Sequence, residues 1–211
     1  KQSEIDSCPI LVVGHGAEQV RQTCGPAYSY VEQIEQLGTA HAVEQALPSV
    51  PKNTDAIIVL YGDHPLTSSL TIKTLHLLHQ GTEADISLLT ATVPHFNGLQ
   101  KPFYDFGRII RDKITGNITH IIEKKDAEPE ELDIREINPG MYCFNKAWLA
   151  RHIDRISNNN AQGEYYLTDL VRLAIRQGAK LATLPSDPIQ ALGINTPEHL
   201  SLAEKLVTAS S

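Results

Sequence analysis

The run Asp55-Ala56-Ile57-Ile58-Val59-Leu60-Tyr61 has no polar side chain between its ends, and it stops at Gly62-Asp63-His64-Pro65. Successive residues of a β-strand face opposite sides, so a strand apolar at both parities asks for cover on both sides. Helices supply that cover in α/β proteins, and the ligands of such sheets gather at the carboxyl ends of the strands. A Gly-Asp pair placed directly after this strand indicates both the class of fold and where its chemistry should lie.

The rest of the first half alternates in the same way. Pro9 to Gly14 reads as a short buried strand that turns at His15-Gly16 into a helix over 17–24, and Tyr28 to Glu32 reads as another strand. Thr39 is the expected N-cap of an Ala-rich helix through Leu47. A helix near Thr67 to Gln80 and a strand from Ala84 to Val93 follow. Strands alternating with helices imply right-handed βαβ units and a mostly parallel sheet with helices on both faces.

The second half changes character. Residues 107–112 and 118–123 flank Gly116-Asn117 and read as an antiparallel hairpin. Residues 124–133 are a charged loop or short helix, Met141 to Phe144 a buried strand, and Ala147 to Ile156 a helix. A polar loop over 158–163 leads into a helix over 166–177, and Thr196-Pro197-Glu198 is a strong helix start.

Composition narrows the function. With 18 basic and 25 acidic residues among 211, the net charge is −7, which argues against a nucleic-acid or membrane-surface binder. Hydrophobic content of 41% fits an ordinary globular chain. Cys8, Cys24 and Cys143 are odd in number and far apart, which suits neither a disulfide framework nor a zinc ribbon. No apolar run reaches a membrane span, and residues 1–6 lack the apolar core of a signal peptide, so the expected location is the cytoplasm.

Three segments could carry chemistry. Asp63 stands where a phosphate-bound metal would, although an Asp before Pro65 also suits a helix cap. The stretch from Gln33 to Ala42 offers an amide that can read a base edge and Gly38-Thr39 N–H groups at a helix start, or merely a well-capped turn. Asn158 to Asp169 carries amides, Tyr165, Tyr166 and Thr168, which suit a sugar, or it is a polar loop entering a helix. His76 and His79, three apart on the expected helix, read as surface or groove residues rather than zinc ligands. Trp148 reads as core.

Taken in order, Glu35 to Ala42, Tyr61-Gly62-Asp63, Phe106-Gly107-Arg108-Ile109, Ile122 to Ala127, Glu136 to Gly140 and Asn158 to Asp169 resemble the uridylyltransferase domain of the bacterial N-acetylglucosamine-1-phosphate uridylyltransferases. The resemblance runs from Ile10 to about Leu206. It implies an α/β, Rossmann-like nucleotide-diphospho-sugar transferase fold over residues 1–211. The implied activity is transfer of a uridylyl group from UTP to N-acetylglucosamine 1-phosphate, giving UDP-N-acetylglucosamine and pyrophosphate, on the way to peptidoglycan and lipopolysaccharide. It implies Mg2+ on Asp63 and Asn195, the nucleotide on Gln33, Gly38, Thr39, Tyr61, Gly62 and Asp63, and the sugar on Gly107, Glu123, Asn138, Tyr166 and Thr168. A homo-oligomer stays open at this stage, as do another sugar 1-phosphate and a non-catalytic sugar-nucleotide binder.

The sequence departs from the family's pattern at several points. Its opening strand and glycine-rich triphosphate loop find no counterpart here, so the chain is expected to start after them, with roughly one strand–loop–helix unit, about 30–50 residues, missing. The expected consequence is exposed strand edges where a central strand would lie. The family's acetyltransferase β-helix has no counterpart here either. His64 stands where an aliphatic residue is usual; beside Asp63 it would favour manganese or simply cap the turn. Ala40 and Pro139 replace a usual glycine and threonine, and the aromatic-rich loop over 94–105 is longer than usual, which would narrow or alter the choice of sugar.

Overall fold

The computed structural model describes residue 5 and residues 8–209; the N-terminal hexapeptide read above lies outside them except for Ile5. Strands are β1 (Ile10–Val13), β2 (Ser29–Glu32), β3 (Ala56–Val59), β4 (Ile86–Thr92), β5 (Arg108–Arg111), β6 (Ile118–Ile122), β7 (Glu136–Ile137), β8 (Tyr142–Asn145) and β9 (Leu181–Ser186). Helices are α1 (Ala17–Cys24), α2 (Thr39–Ala46), α3 (Ser69–Thr82), α4 (Pro129–Leu132), α5 (Lys146–His152), α6 (Asp169–Arg176) and α7 (Pro197–Ala209). Most expected elements are in place, with trimmed ends. β7 and β9 were not anticipated.

The main sheet runs β3-β8-β4-β7-β5-β6, with β9 on the other edge of β4, while β1 and β2 form a separate parallel pair. Only β1·β2 and β4·β9 are parallel; the five other pairings among the described residues are antiparallel. The expectation of a mostly parallel sheet is corrected here. A parallel neighbour needs a long crossover, but β7 and β8 are separated only by Asn138 to Met141, and both lie along β4.

Alternation along the strands sorts the core onto two faces, and helices cover both. Ile86, Leu88, Tyr142 and Phe144 face the side packed with Leu149, Leu170 and Val171 of α5 and α6. Leu89, Met141 and Cys143 face the other, against Leu75 of α3. Trp148 is in the core as expected, 4% exposed and stacked on His152. His79 is also buried and bonds Ser87 (Nδ1 to Oγ 2.9 Å), which corrects its surface assignment: α3 turns it inward onto β4. A third cluster joins Phe103, Ile137, Ala191 and Ala203.

β1 and β3 are apolar yet only half covered, and each has one edge without a strand partner among the described residues. No helix among the described residues is long and apolar enough to cross a membrane.

Candidate active site

The Gly62-Asp63 turn leaves β3 at its carboxyl end, as the sequence predicts. Asp63 does not cap α3. That task falls to Ser68, whose hydroxyl accepts from Thr71 N at 3.0 Å, so the capping reading of Asp63 is set aside. Asp63 O accepts from Ile194 N at 2.9 Å, tying the turn to the segment that carries Asn195. A Cβ placed on Gly193 would lie 2.9 Å from Asp63 Oδ2 and 3.3 Å from Asn195 Nδ2, so the two side chains converge over a glycine that leaves room for them. His64 is 7% exposed at its side chain, set edge-on to Tyr61 and against Phe106, with Nε2 3.7 Å from Asp63 Oδ1. Burial holds its imidazole below the ordinary histidine range, while Asp63 opposes that shift.

These groups open onto a cavity of about 430 Å3 shared with Tyr61, Gly107, Glu123 and Asn138. Gly107 lies so close to β6 that a Cβ there would be 3.3 Å from Glu123 Oε2. Asn138 N donates to Gly107 O at 3.0 Å, its Oδ1 accepts from Gly140 N at 3.2 Å and its Nδ2 donates to Tyr142 OH at 2.7 Å. The Asn138 amide is thus locked with one N–H to spare. Gly140, at φ 77°, packs under Tyr61, where a Cβ would stand 2.1 Å from the ring. Burial first, then the nearby Glu123 and Asp63 carboxylates, push the Tyr61 phenol well above its usual range, while the Thr39 hydroxyl it meets opposes them.

Glu123 also borders a second cavity of about 370 Å3 with Tyr166 and Thr168. Its Oε1 accepts from Thr168 Oγ1 at 3.0 Å; burial raises its carboxyl above the usual range, the Thr168 bond lowers it, and Asp126 and Asp169 raise it further. The Tyr166 hydroxyl and Asp126 Oδ2 are buried there without a hydrogen-bond partner. Asn158 and Asn160 bond within their own loop, to Gly163 O and to Glu164 O and N, so those amides shape the loop.

Gln33, Gly38 and Thr39 line neither cavity. Thr39 is the first residue of α2, not its cap; Gly38 is the cap, and the Thr39 hydroxyl instead accepts from Leu167 N at 3.0 Å. Tyr165 bonds both sides of the turn, its N to Leu37 O at 2.8 Å and its O from Ala40 N at 2.9 Å. Gly38 is required here: φ is 115° and a Cβ would be 2.6 Å from Tyr165 O. Both hydrogens of the Gln33 amide are occupied, by Gly38 O at 3.1 Å and His41 Nδ1 at 2.9 Å. Asp105, at the end of the 94–105 loop that the sequence singles out, lines the first cavity, as do Gly193 and His199; Gly193 is signalled only by its place beside Asn195, and His199 by nothing in the sequence.

Asp63 and Asn195 provide a carboxylate and an amide oxygen, hard donors that suit Mg2+ when substrate phosphates complete the shell. Among the described residues no three His, Cys, Asp or Glu side chains group as a metal cluster.

The chain is similar to known proteins. The chain is 42% identical over 200 residues to the bifunctional protein GlmU of Heliobacterium modesticaldum, covering 94% of this chain and 42% of that protein. It is 41% identical over 196 residues to its namesake in Brevibacillus brevis, covering 92% and 41%, and 42% identical over 199 residues to that of Burkholderia mallei, covering 93% and 42%. It thus spans less than half the length of these curated relatives. The family described as Nucleotidyl transferase matches residues 14–188, and with its mixed α/β sheet and its similarity to these GlmU proteins, the chain belongs to the nucleotidyl transferase family, with a nucleotide-diphospho-sugar transferase fold.

Proposed function

We propose that this domain joins UTP to N-acetylglucosamine 1-phosphate, forming UDP-N-acetylglucosamine and releasing pyrophosphate. The observation that carries the reading is the meeting of Asp63 and Asn195 over Gly193 in one cavity with Gly107, Glu123 and Asn138. On this reading a phosphate-binding end and a hydroxyl-binding end share one small-molecule space.

The base is read at the α2 start. With both Gln33 hydrogens occupied, its Oε1 is left to meet a ligand. An acceptor there matches the ring N3–H of uracil, whereas cytosine presents an acceptor at that ring nitrogen. The N–H groups of Gly38 and Thr39 add donors at the positive end of a helix, while that of Ala40 is taken by Tyr165 O. Tyr61 and Gly62 carry the nucleotide from this turn to Asp63. Asp63 and Asn195 would hold Mg2+, which when bound neutralises phosphate charge and aligns the two reactants. Glu123 Oε2 accepts from sugar hydroxyls, with Gly107 and Asn138 at its side, and Tyr166 and Thr168 border the acetamido end. The sugar phosphate oxygen attacks the α-phosphorus in line. Positioning supplies most of what the protein contributes.

Pyrophosphate release tests the proposal: the protein is given UTP, Mg2+ and, in turn, N-acetylglucosamine 1-phosphate, glucose 1-phosphate and the galactose counterparts. Release with the first sugar alone is the expected result. Equal release with glucose 1-phosphate would overturn the acceptor assignment. Failure of both release and UDP-N-acetylglucosamine binding would overturn the whole reading, and binding without release would leave a sugar-nucleotide-binding domain.

A further inference from the structure

Between β4 and β5 the chain takes a long detour through residues 93–107, and this segment is built as a fixed wall. Phe103 is 1% exposed in the cluster with Ala91, Ile137 and Ala203. Arg108 is wholly buried, and its guanidinium donates to the carbonyls of Leu132 (3.3 Å), Tyr104 (3.0 Å) and Phe106, so this buried charge is used to fasten backbone. The same guanidinium stacks on Phe96 at 4.6 Å and on Tyr104 at 5.2 Å, and those two rings meet edge-on at 5.3 Å. Tyr104 carries a second cation: Lys124 Nζ lies 4.7 Å from its ring centre. Lys124 also donates to Asp105 Oδ1, closing the detour onto the end of β6.

The position of this closure gives it a consequence. Asp105 lies two residues before Gly107, Lys124 directly follows Glu123, and Pro102, Asp105 and Phe106 border the cavity. A sugar held by Gly107 and Glu123 therefore has Asp105 beside it, with Lys124 holding Asp105 in place from outside the cavity lining. Exposed ion pairs contribute little stability on their own. Here the cation is also held by an aromatic ring that is itself fastened to Arg108.

We propose that the Asp105–Lys124 pair is a specificity-determining rim, which restricts the acceptor to a hexosamine 1-phosphate without a bulky acidic substituent on its ring. The inference rests on the uridylyltransferase reading above. A carboxylate-bearing ether on the ring would have to displace the pair and meet the Asp105 charge, a cost applied to the wrong sugar alone.

Equilibrium dialysis of the full chain with Mg2+ tests it, using UDP, UDP-N-acetylglucosamine and its 3-O-lactyl ether as probes. The wild type is expected to bind the unsubstituted sugar nucleotide about tenfold tighter than the lactyl ether, the size of step a shaped pocket gives. In the double variant Asp105→Asn, Lys124→Met the ratio should fall to about threefold or less, with UDP affinity unchanged. Lys124→Met removes the cation over Tyr104 but leaves an unbranched side chain, and Arg108 still holds that ring, so the wall should stay folded; the same urea midpoint as wild type checks this. An unchanged ratio in the folded variant, or a wild type that binds both sugars equally, overturns the rim. Loss of UDP binding by the wild type instead overturns the nucleotide reading, and the rim with it.

Discussion

Gly107, Glu123 and Asn138 stand beside the best-covered part of the sheet, whereas Gln33, Gly38 and Thr39 stand on a two-stranded one. Ile137, Tyr142 and Phe144 have no exposed surface, and Asn138 is locked by three hydrogen bonds. In β1 only Val13 is buried, and β2 has no buried residue. The turn that carries Gln33 and Gly38 is joined to the rest by the two Tyr165 backbone bonds, the Leu167 N to Thr39 Oγ1 bond and the burial of Ala40 and Val43 of α2 in the main core. Rigidity follows coverage and hydrogen bonding, so the proposed acceptor side is preorganised while the proposed nucleotide side depends on this seam.

The hardest way to break the comparison is from the rigid side. Gly140→Ala forces a Cβ into the Tyr61 ring at a left-handed φ of 77°. Strain and overpacking together should cost about 3–5 kcal/mol, read as a fall in the urea midpoint. A loss near zero would mean that Tyr61 swings away freely and that the wall is softer than its hydrogen bonds imply.

Asp63 sits where the two sides meet. Asp63→Ala should weaken Mg2+-dependent nucleotide binding about a hundredfold or more, since one carboxylate anchors the shell; binding that keeps its Mg2+ dependence would remove Asp63 from the site. Gln33→Ala acts on the other side of that junction. It should weaken UTP about tenfold, the worth of one hydrogen bond plus loss of the turn's internal bonds, and leave the sugar phosphate nearly untouched. Equal losses for the two ligands would refute a base-reading Gln33.

The same contrast explains what could be read in advance. β3 was legible because Ala56 to Val59 is apolar at every position, and the Asp63 turn followed from it. β9 was not, because Pro185 interrupts its pattern; a proline inside a run argues against a strand unless it lies at an edge, and among the described residues β9 pairs only with β4. Strand direction was misjudged because alternation reports which residues are covered, not how the chain returns. Thr39 looked like a helix cap because a hydroxyl at a helix start usually is one; its actual partner, Leu167, is 128 residues away. Gln33 and Asn138 could be chosen by resemblance, yet the atoms they have left for a ligand emerged only from their neighbours.

A last and smaller test lies inside the well-covered half. His79, 5% exposed, bonds Ser87, which is wholly buried. Burial holds its imidazole below the ordinary value of 6.5, nearby His76 lowers it further, and Asp85 opposes both. The unfolded chain therefore takes up the proton more readily than the folded one, so the stability linked to His79 is full above pH 6.5 and is lost as pH falls through 6.5 and past the lower folded value. His64 and His120 are shifted in the same direction, so the absolute pH curve does not single out His79. The gap between wild type and His79→Gln does. At pH 8 the variant should unfold at a lower urea concentration, because it packs less well between α3 and β4. As the pH drops to 5 the gap should narrow, since glutamine has no proton to gain. A gap that stays constant would show that the Ser87 contact tolerates the charged ring and that this half of the protein is less dry at its centre than its burial indicates.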